Sequence, residues 1–153
     1  MRTAALLCTL LVAAFAFGGE GARVEILRRV KGPRHTIITT QFDYASGKTW
    51  RIVTDANDGK VLREELLPGR AQSTRREVER AISIIAKDPA LQVLLSRGAQ
   101  TEGGFIIDGP SGQPADHRYI QIRVLSADRR TLLRVVVVDL SAGIVALVRE
   151  RFE

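Results

Sequence analysis

The sequence is short of the residues on which most enzymatic chemistry rests. It holds one cysteine, Cys8, one tryptophan, Trp50, and two histidines, His35 and His117. Cys8 lies inside an N-terminal stretch that reads as a removable leader, so the remainder carries no thiol. That excludes disulfides, zinc–cysteine sites and iron–sulfur clusters from it. Aromatic residues make up 5% of the chain, too few for the stacking platforms of single-strand binders. No nucleic-acid partner is expected. No G-x-S-x-G elbow and no phosphate-binding motif occurs. Gly103, Gly104, Gly109 and Gly112 read as loop glycines, without the following helix that a phosphate cradle requires.

Long apolar runs are missing too. Ala4 to Phe17 would give roughly 21 Å of helix, short of the ~20 residues a bilayer needs. With Arg2 before it and the small residues Ala14 and Ala16 at its end, the run reads as a secretory signal. The expected organisation is a signal peptide over 1–16, a flexible or partly ordered segment over 17–34, and a single domain over 35–153. The expected location is secreted or periplasmic, with no integral membrane span after cleavage. An exported domain without disulfides depends on its core, which about 130 residues can supply.

Acidic residues are outnumbered, 17 against 23 Lys and Arg, for a net charge of +6. Arginines recur in pairs at Arg28-Arg29, Arg75-Arg76 and Arg129-Arg130. Such a balance attracts an acidic protein, an anionic polymer or a membrane surface, or simply forms a solvated exterior.

What the chain does have is one motif twice. V-x-D-x-x-x-G-x-V occurs from Val53 to Val61 and again from Val137 to Val145. Asp55 and Asp139 can bond backbone N–H groups two or three residues on, while Gly59 and Gly143 supply positive φ. Each copy predicts a hairpin, and the pair predicts a duplicated small domain. Thr36 to Tyr44, Lys48 to Thr54 and Lys60 to Leu67 read as one three-stranded meander. Tyr119 to Leu125, Leu132 to Leu140 and Ile144 to Arg151 read as a second. Between them Thr74 and Glu77 form a capping box, and Val78, Ala81, Ile82 and Ile85 follow helical spacing. Asp88-Pro89 breaks and restarts that helix, and Gly98 stops it. The predicted fold is α+β: an antiparallel sheet of two joined meanders with one broken helix packed on it. Trp50, Ile122 and Val137 are expected in its core, and 98–117 reads as a long loop with a short edge strand at Phe105 to Ile107.

Candidate chemistry is sparse. Asp55 to Gly59 superficially matches a calcium loop, but Gly falls at the fifth position and Leu66 at the twelfth, so a turn fits better. His35, His117 and Asp116 lack metal-ligand spacing. Glu64, Glu65, Glu77 and Glu79 read as surface carboxylates, with nothing to push two pKa values apart. Neither metal nor cofactor is expected, and no enzymatic activity.

Val135 to Val138 place valines on both faces of one strand, whereas one helix covers one face. The other face is covered by 98–117, by the N-terminal segment or by another molecule. The expected contact residues are Val136 and Val138, with Arg123, Arg134 and Arg149 as a basic rim.

The run Lys48 to Leu62 resembles the hairpin of PepSY domains, which close on V-D-x-x-x-G-x-V. Thr74 to Val145 is similar to the small N-terminal domains of copper amine oxidases, where a helix with an early acidic residue, here Glu77, precedes strands ending in V-D-L-x-x-G-x-V, here Val138 to Val145. The resemblance implies a cystatin-like fold without catalytic residues and a role in protein contact. Oxidase activity would need a copper-binding histidine trio that the two histidines cannot supply. The expected function is an exported, non-catalytic protein-binding or regulatory domain, such as a PepSY-like peptidase modulator, that binds another protein or itself. The alternatives are a stand-alone module like the oxidase N-terminal domains, or a small ligand-binding or enzymatic curved-sheet protein.

Overall fold

The structure is a computed structural model that describes residues 24–150. The expected signal peptide lies outside the described residues. Ten elements follow in order: β1 Val24–Lys31, β2 Thr36–Asp43, β3 Lys48–Asp55, β4 Val61–Leu67, α1 Arg75–Lys87, α2 Pro89–Ser96, β5 Gln100–Ile107, β6 Tyr119–Leu125, β7 Leu132–Asp139 and β8 Ile144–Glu150. They form two separate antiparallel sheets of four strands each, in the orders β1-β2-β3-β4 and β5-β6-β7-β8. This corrects the expected single sheet of two joined meanders under one broken helix. The sequence left Val24 to Val30 open between a short strand and a helical turn, and it showed only the Phe105 to Ile107 end of β5. β1 begins inside the segment expected to be flexible or partly ordered, and β5 runs through glycines read as loop.

The turn motif folds the same way in both sheets. Gly59 N–H donates to the Asp55 carbonyl at 3.0 Å, and Gly143 N–H to the Asp139 carbonyl at 2.8 Å. Both glycines sit at positive φ, 73° and 72°. Ala56 N–H donates to the His35 carbonyl, and Leu140 N–H to the Arg118 carbonyl. The ladders carry a bulge at matching places, between Val53 and Thr54 and between Val137 and Val138. The matched register makes Ile37, Ile52 and Thr54 the counterparts of Ile120, Val136 and Val138.

The core belongs to the second sheet. Ala81, Ile85 and Leu91 pack on Ile120, Ile122, Val124, Val136, Val138 and Leu140. The helix starts as expected: Thr74 Oγ1 accepts from Glu77 N–H at 3.0 Å, and Glu77 Oε2 accepts from Thr74 N–H at 2.9 Å. Asp88 ends α1 and caps α2, its carboxylate accepting from Ala90 and Leu91 N–H groups. α1 presses onto β5 at Gly104, where a Cβ would stand 2.5 Å from the Val78 side chain. Only glycine permits that approach at its φ of 129°. Ile82 is half-buried and stands outside the core cluster. Trp50 lies on the first sheet, away from the helix, while Val137 is buried as expected but on the opposite face of β7 from Val136.

The first sheet has little core of its own. Its buried residues are Glu25, Phe42 and Thr49, one cross-strand row at the end nearest α1. A buried polar cluster joins that row to the rest. Arg118 and Glu77, each with 1% of its side chain exposed, pair at 2.5 Å. Arg118 also donates to the Ala71 and Gln72 carbonyls, and its guanidinium lies 4.8 Å from the Phe42 ring centroid. Tyr44 donates to Glu77 Oε1 at 3.0 Å, and Thr74 to Glu25 Oε1 at 3.0 Å. One carboxylate on α1 thus holds the helix cap, β6 and the end of β2.

Burial sets the expected cost of truncation along α1. Ile85→Ala should destabilise the protein by about 2–5 kcal/mol, because it empties a fully buried site. Ile82→Ala should cost clearly less. Urea unfolding of the two variants checks this, and equal losses would mean that α1 is rotated on its sheet.

Candidate protein-contact face

The residues of the second sheet that point away from the helices make the candidate contact face. Cross-strand rows place Glu102, Arg123, Val135 and Arg149 together, and beside them Phe105, Gln121, Val137 and Leu147. The loop from 108 to 118 crosses one end of this face. Gly109 lies against the Tyr119 ring, and Tyr119 Oη donates to the Pro114 carbonyl at 2.9 Å. Arg70 anchors the loop start, donating to the Ile107 carbonyl and pairing with Asp108 at 2.8 Å.

The loop does not cover the rest. Between it and the strands lies a hollow of about 200 Å³, floored by Val135, Val137 and Leu147 and edged by Gln121 and Arg149. Phe105 is 60% exposed on the same face. Val135 and Leu147 are half-buried.

The expected contact residues divide. Arg123 and Arg149 do lie on the open face. Arg123 pairs with Glu102 at 3.2 Å, whereas Arg149 makes no ion pair among the described residues. Val136 and Val138 do not lie there. Both are fully buried beneath the helices, because the even-numbered positions of β7 share the face of Ile120 and Ile122. Arg134 falls on that helix-side face as well and pairs with Glu150 at 2.8 Å. Val135, Val137 and Leu147 take the place assigned to Val136 and Val138. The alternation was legible, but not which parity met the helix.

The turn residues Asp55, Gly59, Asp139 and Gly143 hold hairpins, as their motif implies. Asp55 Oδ1 accepts from Asn57 N–H and Asp58 Oδ1 from Lys60 N–H. Asp139 does more: Oδ1 accepts from Ala142 N–H while Oδ2 meets His117 Nδ1 at 2.6 Å. His117 also borders a pocket of about 40 Å³ with Arg70, Thr49 and Arg118. His35 sits in the β1–β2 turn of the other sheet, so the two histidines are not brought together. Among the described residues no group of three or more His, Cys, Asp or Glu is placed to hold a metal. No helix among them is long and apolar enough to cross a membrane.

Sequence reasoning missed Arg118. Nothing local marks it; its role appears only once β6 lies beside the start of α1. Glu77 was legible as a cap and not as the partner of a buried arginine.

No protein-family model matches the chain, and no curated protein matches it. Among solved structures it is similar to a copper-containing benzylamine oxidase from Hansenula polymorpha, with a TM-score of 0.51, 8% identity and 75% of this chain covered. The chain spans 20% of the oxidase's length. At that identity the likeness is one of fold. It agrees with the resemblance of Thr74 to Val145 to copper amine oxidase domains, while the resemblance to PepSY domains has no counterpart among these likenesses.

Both tyrosines are held neutral. Burial, followed by the charge of Glu77, raises the Tyr44 pKa, and burial, followed by Asp139, raises that of Tyr119. Their stabilising contribution is therefore complete below the ordinary phenol pKa of about 10 and is lost as pH rises through the raised values. The two are the only tyrosines in the chain. Ultraviolet titration should show Tyr44 still un-ionised near pH 10 in the native protein, Tyr119 ionising at a higher pH than in denaturant, and both titrating near pH 10 in denaturant. Native titration of both at the denaturant pH would contradict the burial of these rings.

Proposed function

We propose that the protein is an exported, non-catalytic binding module that contacts another protein through the open face of its second sheet. The observation that carries this reading is the part-open apolar floor of Val135 and Leu147 around the buried Val137, with Phe105 exposed beside it and Arg149 at its edge. An apolar patch with a basic rim is the usual form of a contact with an acidic protein surface. The hollow is smaller than the roughly 300–1,000 Å³ of drug-sized ligand sites, which favours a protein side chain over a small substrate. The one hydroxyl lining the His117 pocket belongs to the buried Thr49.

Two features support the rest of the reading. The apolar run before Phe17 supports export. The fold likeness to part of a benzylamine oxidase supports a domain of the kind that accompanies larger enzymes; the oxidase activity itself is not carried across. The resemblance of Lys48 to Leu62 to PepSY hairpins supports a regulatory contact, with an exported peptidase as one such partner.

Leu147→Lys places a charge on the floor without touching the helix-side core. It should leave the melting temperature nearly unchanged and abolish capture of an exported partner, or self-association in sedimentation, that the parent shows. Association unchanged by Leu147→Lys would remove this face from the proposal. N-terminal sequencing of exported protein should give a start near Phe17, and a start at Met1 in a membrane fraction would contradict export.

A further inference from the structure

The internal repeat points to a second docking face, on the first sheet. In the second sheet the face bearing Ile120, Ile122, Val124, Val136 and Val138 is covered by α1 and α2. Matched register assigns its counterpart in the first sheet to Ile37, Thr39, Gln41, Ile52 and Thr54, with Trp50 among them. No described helix lies on that face. It carries an apolar row running Ile26, Trp50 and Leu66 across the strands, interrupted only by Gln41. Ile26 is 41% exposed and Leu66 49%, and Val61 on the same face is 49% exposed. Thr39, Gln41 and Thr54 stand where the covered sheet has Ile122, Val124 and Val138, so the face is built for reversible rather than permanent cover.

We propose that this face binds an amphipathic helix of a partner protein, one with acidic residues flanking its apolar stripe. The repeat supplies the shape, since a helix of α1's length covers the equivalent strands. Charge supplies the sign. Arg29, Lys31 and Lys48 project from this face. Two carboxylates, Asp43 and Glu64, share the face, so the cations keep a small excess over them. A second copy of the chain fits less well, because stacking two such faces brings the basic rims together. A single helix on four strands buries less than the ~1,000 Å² of a stable interface, so the contact is transient, with a Kd on the order of micromolar.

Trp50 is the only tryptophan, and it sits in the face as its own reporter. The test titrates the full chain with a designed helical peptide of about 14 residues, long enough for four turns. Leucines occupy its i, i+3, i+4 and i+7 positions, with glutamates elsewhere; the control replaces glutamate by lysine. The acidic peptide should shift Trp50 emission to the blue, and the lysine peptide should bind about tenfold or more weaker. Leu66→Glu, and independently Ile26→Asp, should weaken the acidic peptide by a similar factor. Both sites are exposed, so circular dichroism should show the variants folded. Leu147→Lys, on the other sheet, should leave peptide binding unchanged, which separates failure of this proposal from failure of the contact proposed above. No blue shift at about 100 μM acidic peptide, or equal binding of both peptides, would overturn the proposal. A blue shift that follows the chain's own concentration would assign the face to a second copy. A red shift on removing residues 17–23 from the exported chain would assign it to the chain's own N-terminal segment. Either result would overturn the partner helix.

Discussion

The structure depends on one buried ion pair. Glu77 and Arg118 are almost wholly removed from water, and the Arg118 charge is offset by the Glu77 carboxylate and two backbone carbonyls. Removing one member of such a pair leaves an uncompensated buried charge, at a cost of about 3–5 kcal/mol. The pair also organises what surrounds it. Glu77 completes the capping box that starts α1 and accepts from Tyr44, while the Arg118 guanidinium lies over Phe42. The first sheet meets the rest of the molecule through this cluster and through Gly47, whose Cβ position is taken by the Asp116 carbonyl.

The two halves share a hairpin and differ in what they do with it. The second sheet places its even-numbered β6 and β7 side chains under two helices and builds the core there. The first sheet has threonine and glutamine at several matching positions and stays open. One repeat is thus a scaffold in its own right, and the other is a sheet held from one end. Neither brings together a nucleophile, base and cavity of substrate size. The molecule offers surfaces instead: an apolar floor beside Arg149 on one sheet, and a tryptophan-centred row beside Arg29 and Lys31 on the other.

Much of this was legible locally. The capping box at Thr74 and Glu77, the break at Asp88-Pro89 and both Asp–Gly turns depend on residues a few positions apart, and each formed where it was expected. The sheet count was not legible. β1 is half charged, VEILRRVK, and alternates too weakly to be told from a helical turn. β5 contains Gly103 and Gly104, which signal a loop until the close approach of Val78 explains them. Whether two meanders join depends on which strands lie side by side, and no spacing encodes that. The contact face was half legible. Alternation along β7 showed that one parity must face away from the helix, but only the packing of Ile85 against Val136 and Val138 showed which.

The central claim is that the first sheet is held by the Glu77–Arg118 cluster and not by a core of its own. Region-resolved hydrogen exchange of the parent and of Arg118→Met tests it most directly. The account predicts that the variant loses protection throughout β1 to β4, while the amides of β6 and β7 under the helices keep most of theirs. Retained protection in β2 and β3 with the pair broken would contradict it.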